Sequence, residues 1–197
     1  MRIVVGIGTV TGAIYGIRLL EALRALPDVE THLVVSAGAR RVIAEETDWT
    51  VERVEALAAR CHDDRDLGAP IATGAFRTAG MVVAPCGPET VGALAHSLGG
   101  SLIARAGDVT LKEGRRLVLL VREAPLHRGH LAGLLAVAEM GAVILPPLPA
   151  FYPRPRTLDE IVGHTVGRVL DHFGLAHGLV KEWTGSGRPR RRADPAG

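Results

Sequence analysis

The sequence predicts an α/β protein: a doubly wound parallel sheet between two layers of helices, three layers in all (α/β/α). Three observations lead there. Short apolar runs alternate with amphipathic stretches along the chain, the pattern of successive β-α-β units. The runs are continuously apolar rather than alternating, as strands buried on both faces are. Apolar residues make up 47% of the chain but aromatics only 4%, so the core must be built from Val, Leu, Ile and Ala, which suit such a sheet. With 197 residues the chain is long enough to bury one full core. A single domain is expected over 1–184, followed by a disordered basic tail over 185–197, with no internal repeat.

The elements follow in order. Arg2–Ile7 reads as a buried strand, and GAIYGIRLLEALRAL as a helix with Ile14, Ile17, Leu20 and Leu23 on one face. THLVVS, residues 31–36, reads as the second strand, and VERVEALAAR, residues 51–60, as a helix. MVVAP, residues 81–85, is a strand ending at Pro85-Cys86, with a helical stretch near 89–98. RRLVLLV, residues 115–121, is a strand running into Arg122-Glu123; 127–140 is helical, and AVILP, residues 142–146, is a strand stopped by Pro146-Pro147. TLDEIVGHTVGRVLDHFGL closes the domain as a helix with Thr157 as N-cap and acidic residues in its first turn. Right-handed crossovers wind these units into one open sheet.

Charge and cysteine content narrow the function classes. The net charge of +2 is concentrated in the tail, where Arg188, Arg190, Arg191 and Arg192 face only Asp194. The near-neutral body has no electrostatic footprint for nucleic acid. Cys61 and Cys86 form no disulfide framework, which suits a reducing compartment. The N-terminal apolar run is broken by Gly6 and Gly8, too short for a signal segment, and no stretch reaches membrane-spanning length. The expectation is a soluble, cytoplasmic protein with no membrane or nucleic-acid partner.

In a doubly wound sheet, ligands bind beyond the C-terminal ends of the strands. Residues 8–12, Ser36, 86–90, Arg122-Glu123 and 147–154 fall there. The segment GIGTVTG, residues 6–12, is a glycine turn whose N–H groups and helix dipole can hold a phosphate, with Thr9 and Thr11 adding hydroxyls. Its G-x-G-x-x-x-G spacing differs from the dinucleotide fingerprint. An NADP reading stays open through Arg40 and Arg41, whereas nothing acidic ends the second strand to suit NAD. Cys86 reads as packing rather than nucleophile. CHDDRD, residues 61–66, reads as a polar loop rather than a metal site. His127 and His130 read as surface or helix-start residues. Arg122-Glu123, directly after an apolar strand, asks for an anionic ligand or an ion pair.

Taken together, the chain resembles the UbiX family of flavin prenyltransferases. The blocks VVGIGTVTGAIYG, ETHLVVS, EETDW, HDDRDLGAPIATGAF, GMVVAPC, ARAGDVTLKEGRRLVLLVREAPLH, EMGAVILPPLPAFYPRP and VGRVLDHFGL run in family order over roughly residues 2–174. The resemblance implies a flavodoxin-like, Rossmann-like homo-oligomer, typically a dodecamer, that binds reduced FMN at the sheet edge. It also implies transfer of a dimethylallyl group from dimethylallyl phosphate to the flavin, at N5 and then C6. The prenylated FMN so formed serves UbiD-type decarboxylases, and no metal is needed.

By position, Thr9, Val10, Thr11, Ser36, Gly87, Pro88, Glu89, Thr90 and Arg122 are implied to contact FMN. Lys112, Arg122, Glu123, Tyr152 and Arg168 are implied to hold the leaving phosphate. Glu123, Thr11 and Glu46 are the implied catalytic groups, Glu46 reaching in from a neighbouring subunit and Glu123 relaying the proton lost at ring closure. The chain departs from the family pattern at two places. S-G-A-S-G is here Gly8-Thr9-Val10-Thr11-Gly12, and C-S-x-K-T is Cys86-Gly87-Pro88-Glu89-Thr90. The changes add bulk at Thr9, remove an N–H at Pro88 and put a negative charge at Glu89. The alternative they leave open is a diverged paralogue with altered or lost FMN binding, acting as an accessory flavoprotein or assembly subunit.

Overall fold

The computed structural model describes residues 1–183 and 185; all but the first residue of the expected tail lies outside the described residues. Six parallel strands form one sheet: β1 (Arg2–Ile7), β2 (Glu30–Val35), β3 (Arg60–Asp63), β4 (Gly80–Cys86), β5 (Arg116–Val121) and β6 (Val143–Ile144). Their order is β3-β2-β1-β4-β5-β6. The chain winds outward from β1 to β3, then returns to the other side of β1 and winds outward again. The reversal leaves a crevice between the C-terminal ends of β1 and β4, where such folds bind ligands.

Alternate residues of each strand feed two cores. Ile3, Val5, Ile7, Val82, Ala84, Val118 and Leu120 pack under α1 (Ala13–Arg24) and α7 (Leu158–His172), joined by Ile43 of α2 (Ala37–Glu46) and Val54 of α3 (Val51–Glu55). Val4, Met81, Val83, Leu117, Leu119 and Val121 face α4 (Pro88–Ala95), α5 (Leu102–Lys112) and α6 (Arg128–Glu139). The three-layer expectation holds. Gly16 is where α1 rides closest to the sheet: any Cβ there would strike the Ala84 carbonyl and the Ile7 side chain.

Four elements depart from the sequence reading. The helix expected over 51–60 stops at Glu55, and Arg60–Asp63 forms edge strand β3, pairing His32 with Arg60 through Val35 with Asp63. CHDDRD is therefore half strand and half turn; Asp64 of the turn accepts the Ile103 N–H at 3.0 Å and anchors the start of α5. Helices α2 and α5 are additions. Helix α2 buries only Ala39 and Ile43 and presents a narrow apolar face, whereas α5 buries Leu102, Ile103, Ala106 and Val109 along one side, a period the sequence reading passed over. Thr157 does cap α7, accepting the Glu160 N–H at 3.2 Å, and His127 caps α6 by accepting from Gly129 and His130.

Candidate functional site

Four strand ends converge on the crevice. After β1 the chain bends through Gly8, whose N–H donates to the Pro85 carbonyl of β4 at 3.1 Å. A Cβ at Gly8 would lie 2.8 Å from that oxygen, so only glycine lets the two strand ends meet. The Thr9 hydroxyl hydrogen-bonds the Ser36 hydroxyl at 2.8 Å, and Ser36 caps α2 by accepting the Ala39 N–H at 3.2 Å. The extra bulk of Thr9 is housed at Gly38, where any side chain would overlap the Thr9 methyl. Val10 is half-buried and Thr11 exposed on the same turn. Gly12 takes a positive φ of 102° at the N-terminus of α1 and donates its N–H to Glu46 at 2.8 Å.

From β4, Gly87 serves as N-cap of α4, Pro88 is its first residue and Thr90 is buried. The Glu89 side chain folds back so that its carboxylate lies where a side chain at position 87 would begin. A hydroxymethyl group at 87 and this conformation of Glu89 exclude each other. Cys86 is fully buried, and that burial, with the negative charge of Glu89 second, pushes its thiol far above the ordinary range. It is a packing residue, as its sequence context suggested.

From β5, the Arg122 N–H donates to the Cys86 carbonyl at 3.0 Å, which fixes the residue against β4. Its guanidinium is exposed and makes no ion pair among the described residues. The neighbouring Tyr15 of α1 is a site residue the sequence reading missed, because its place in an apolar helical period reads as core. Burial raises its phenol, and the positive charge of Arg122 pulls it back. Glu123 accepts the Ala124 N–H at 2.9 Å and borders a cavity of about 100 Å³ between α4 and α6, walled by Val91, Val121, Leu126 and Leu134.

The cations proposed for a second anion do not meet within one chain. Tyr152 and Arg168 share a cavity of about 630 Å³ on α7 with His164, Asp171, His177 and Trp183, and Arg168 pairs with Asp171 at 2.6 Å. Lys112 sits in the last turn of α5, before β5 begins, with Glu113 at 3.5 Å. The length of β5, roughly 20 Å at the usual rise per residue, separates it from Arg122. Glu46, expected from a neighbouring subunit, lies in this chain against its own Gly12. It lines a groove of about 530 Å³ with Ile14, Tyr15, Arg18, Trp49 and Asp159. The NADP reading loses its cations, since Arg40 pairs with Glu55 and Arg41 with Glu45, each at 2.7 Å.

Comparison with known proteins gives the family and the fold. The family model described as Flavoprotein matches residues 1–169. The flavin prenyltransferase UbiX of Thauera aromatica is 54% identical over 186 residues, covering 94% of this chain and 95% of its own. A dodecameric FMN-dependent UbiX-like decarboxylase from Escherichia coli O157:H7 superposes with a TM-score of 0.92 at 48% identity, covering 94% of this chain and 100% of that one. A UbiX protein solved with FMN and dimethylallyl pyrophosphate superposes with a TM-score of 0.92 at 46% identity, covering 94% and 98%.

Proposed function

Because the chain belongs to the UbiX family of flavin prenyltransferases, within the wider Flavoprotein family, we propose that it transfers a dimethylallyl group from dimethylallyl phosphate to reduced FMN. The observation that carries the reading is that the C-terminal end of the sheet holds an Arg122 guanidinium without an ion pair among the described residues, after β5, and a linked pair of hydroxyls on Thr9 and Ser36, after β1 and β2. A cation left without a carboxylate at a sheet edge, with hydroxyl donors at the same edge, is a site for an anion.

The residues present fit a flavin mononucleotide. Thr9, Val10, Thr11 and Ser36 offer hydroxyl and backbone donors on the β1–β2 side, and Arg122 offers charge on the β5 side. Gly87, Pro88, Glu89 and Thr90 form the remaining wall, where Pro88 gives no N–H and Glu89 adds negative charge. The anionic end of the flavin therefore belongs with Thr9 and Ser36, not at the N-terminus of α4. Bound in its reduced form, FMN supplies the nucleophilic ring atoms N5 and C6 and an electron-rich face for an allylic cation.

The protein's own part is electrostatic. As the carbon–oxygen bond of dimethylallyl phosphate breaks, charge collects on phosphate, and Arg122, Arg168, Lys112 and the Tyr152 hydroxyl are the groups that take it up. Glu123 is the base for the ring proton released on closure at C6; one carboxylate oxygen accepts the Ala124 N–H, which leaves the other to take the proton. Thr11 and Glu46 flank the turn that holds the flavin. The separation of Lys112 from Arg122 within a chain calls for a homo-oligomer, which we read as a dodecamer like the E. coli relative. Prenylated FMN would be consumed by a UbiD-type decarboxylase, and a cytoplasmic setting suits that use. No helix among the described residues is long and apolar enough to cross a membrane.

The test is mass spectrometry of the flavin after incubation of purified protein with reduced FMN and dimethylallyl phosphate. A flavin heavier by one dimethylallyl unit is expected; unchanged flavin in the presence of folded protein rejects the reading. A second reading rests on Glu89 and Pro88: a paralogue that has lost the cofactor. It requires that FMN leave the protein's fluorescence and thermal midpoint unchanged.

A further inference from the structure

The Tyr152 hydroxyl has two partners. It lies 2.8 Å from the Lys181 carbonyl oxygen and 3.1 Å from Nε2 of His164. A carbonyl only accepts, so the phenol hydrogen points to Lys181 and the hydrogen in the second bond belongs to His164 Nε2. His164 and Arg168 stand one turn apart on α7 and line the same cavity as Tyr152. The two rings meet edge to face at 5.7 Å, and Trp183 closes on Tyr152 from the other side at 5.6 Å. Tyr152 itself is 42% exposed, so its own packing leaves the phenol loosely held.

We propose that His164 is the positioning residue for the Tyr152 hydroxyl. Its Nε2–H fixes the phenol oxygen beside Arg168 while the hydroxyl hydrogen turns from the Lys181 carbonyl to an arriving phosphate. A phenol oxygen that accepts one hydrogen bond donates a stronger one, so the imidazole also sharpens the bond to phosphate. Burial and then Arg168 lower the His164 pKa while Asp171 opposes them, and the net direction favours the neutral imidazole, a donor that adds no charge. The inference rests on the reading of Tyr152 as a ligand of the leaving phosphate.

A double-mutant cycle tests it, with kcat/KM for dimethylallyl phosphate and calorimetric binding of dimethylallyl phosphate to the FMN-loaded protein as readouts. His164→Leu is expected to lower both about tenfold, the usual scale for one lost hydrogen bond. His164→Gln, which keeps an N–H of similar reach, should stay within about threefold of wild type. In a Tyr152→Phe background His164→Leu should cost nothing more, because no phenol oxygen is left to position. A full additional loss there, or equal losses in His164→Leu and His164→Gln with unchanged thermal midpoints, overturns the inference while the prenyl-transfer reading stands. If Tyr152→Phe alone leaves catalysis and binding intact, the phosphate does not sit at Tyr152, and the inference falls with that placement.

Discussion

Two residues that break the family pattern are accommodated by a partner elsewhere in the chain. Thr9 occupies the volume a side chain at Gly38 would need, so the two positions are sterically coupled across the turn. Gly38→Ala is expected to cost about 1–3 kcal/mol through overpacking, seen as a lower urea midpoint. Most of that loss should return in Thr9→Gly/Gly38→Ala; a double variant no better than the single one rejects the coupling. Glu89 stands over Gly87 in the same way, but here the consequence is electrostatic. Glu89→Gln should raise FMN affinity roughly fivefold at low salt and leave riboflavin, which lacks the phosphate, unchanged. The difference should shrink at about 1 M salt, where charges beyond a few ångströms are screened. Equal gains for both flavins would mean a steric effect instead. Thr9, Gly87 and Glu89 stood out in the sequence because the resemblance supplied a family pattern from which they depart. That Gly38 makes room for Thr9 depends on two loops meeting, and no spacing rule reports it. Tyr15 and His164 were hidden for a related reason: one follows an apolar residue of α1 and the other lies on the polar side of α7, and only the fold shows what each faces.

Strand β3 was hidden in the sequence as well, since RCHD has neither an apolar run nor alternation. It is held to β2 by register and by a histidine pair. His32 Nδ1 lies 2.9 Å from His62 Nε2, and His32 Nε2 lies 3.2 Å from Glu30. Glu30 takes the hydrogen on His32 Nε2, so Nδ1 is the acceptor and His62 the donor. The bond therefore requires His32 to be neutral. Burial lowers the pKa of both imidazoles; Arg2 and Arg60 add to the effect on His32 while Glu30 opposes it, and on His62 the neighbour His32 lowers and Asp66 raises. With folded values below the ordinary 6.5, the unfolded chain binds more protons in that window, so stability rises with pH. It is complete above about pH 6.5 and lost as the pH falls below it, and His164 and His172 carry the same sign. Urea midpoints at about pH 7.5 and about pH 5.5 should differ less in His62→Gln, which keeps the donor without the titration. An unchanged difference would assign the acid loss to other groups. The central strands were legible because buried parallel strands are written as continuous Val, Leu and Ile; α2 was not, because it buries only Ala39 and Ile43, whereas the period of Leu102, Ile103, Ala106 and Val109 in α5 was there to be read.

At the scale of the whole molecule, one chain keeps the groups proposed for the phosphate apart and carries exposed leucines along α6. Leu131 and Leu135 stand one turn apart on α6, 54% and 60% exposed, flanked by Leu126 and Met140. A stripe of that kind on a soluble domain marks an interface, and the 48%-identical relative is dodecameric. Lys112 lies at the opposite edge of the sheet from Arg122 and Glu123, and a rigid parallel sheet cannot fold to bring its two edges together. If these groups serve one phosphate, Lys112 must come from a second copy packed against the first. Symmetry then gives every site one contribution from each neighbour. Lys112→Ala and Glu123→Gln would each be inactive alone, since every site would lack one group. Mixed in equal amounts through a dissociation and reassembly step, the two variants should recover roughly a quarter of wild-type activity. That is the fraction of sites drawing an intact Lys112 from one copy and an intact Glu123 from another. If both groups acted from the same chain, no mixed assembly could hold a complete site, and the mixture would stay as inactive as its parts.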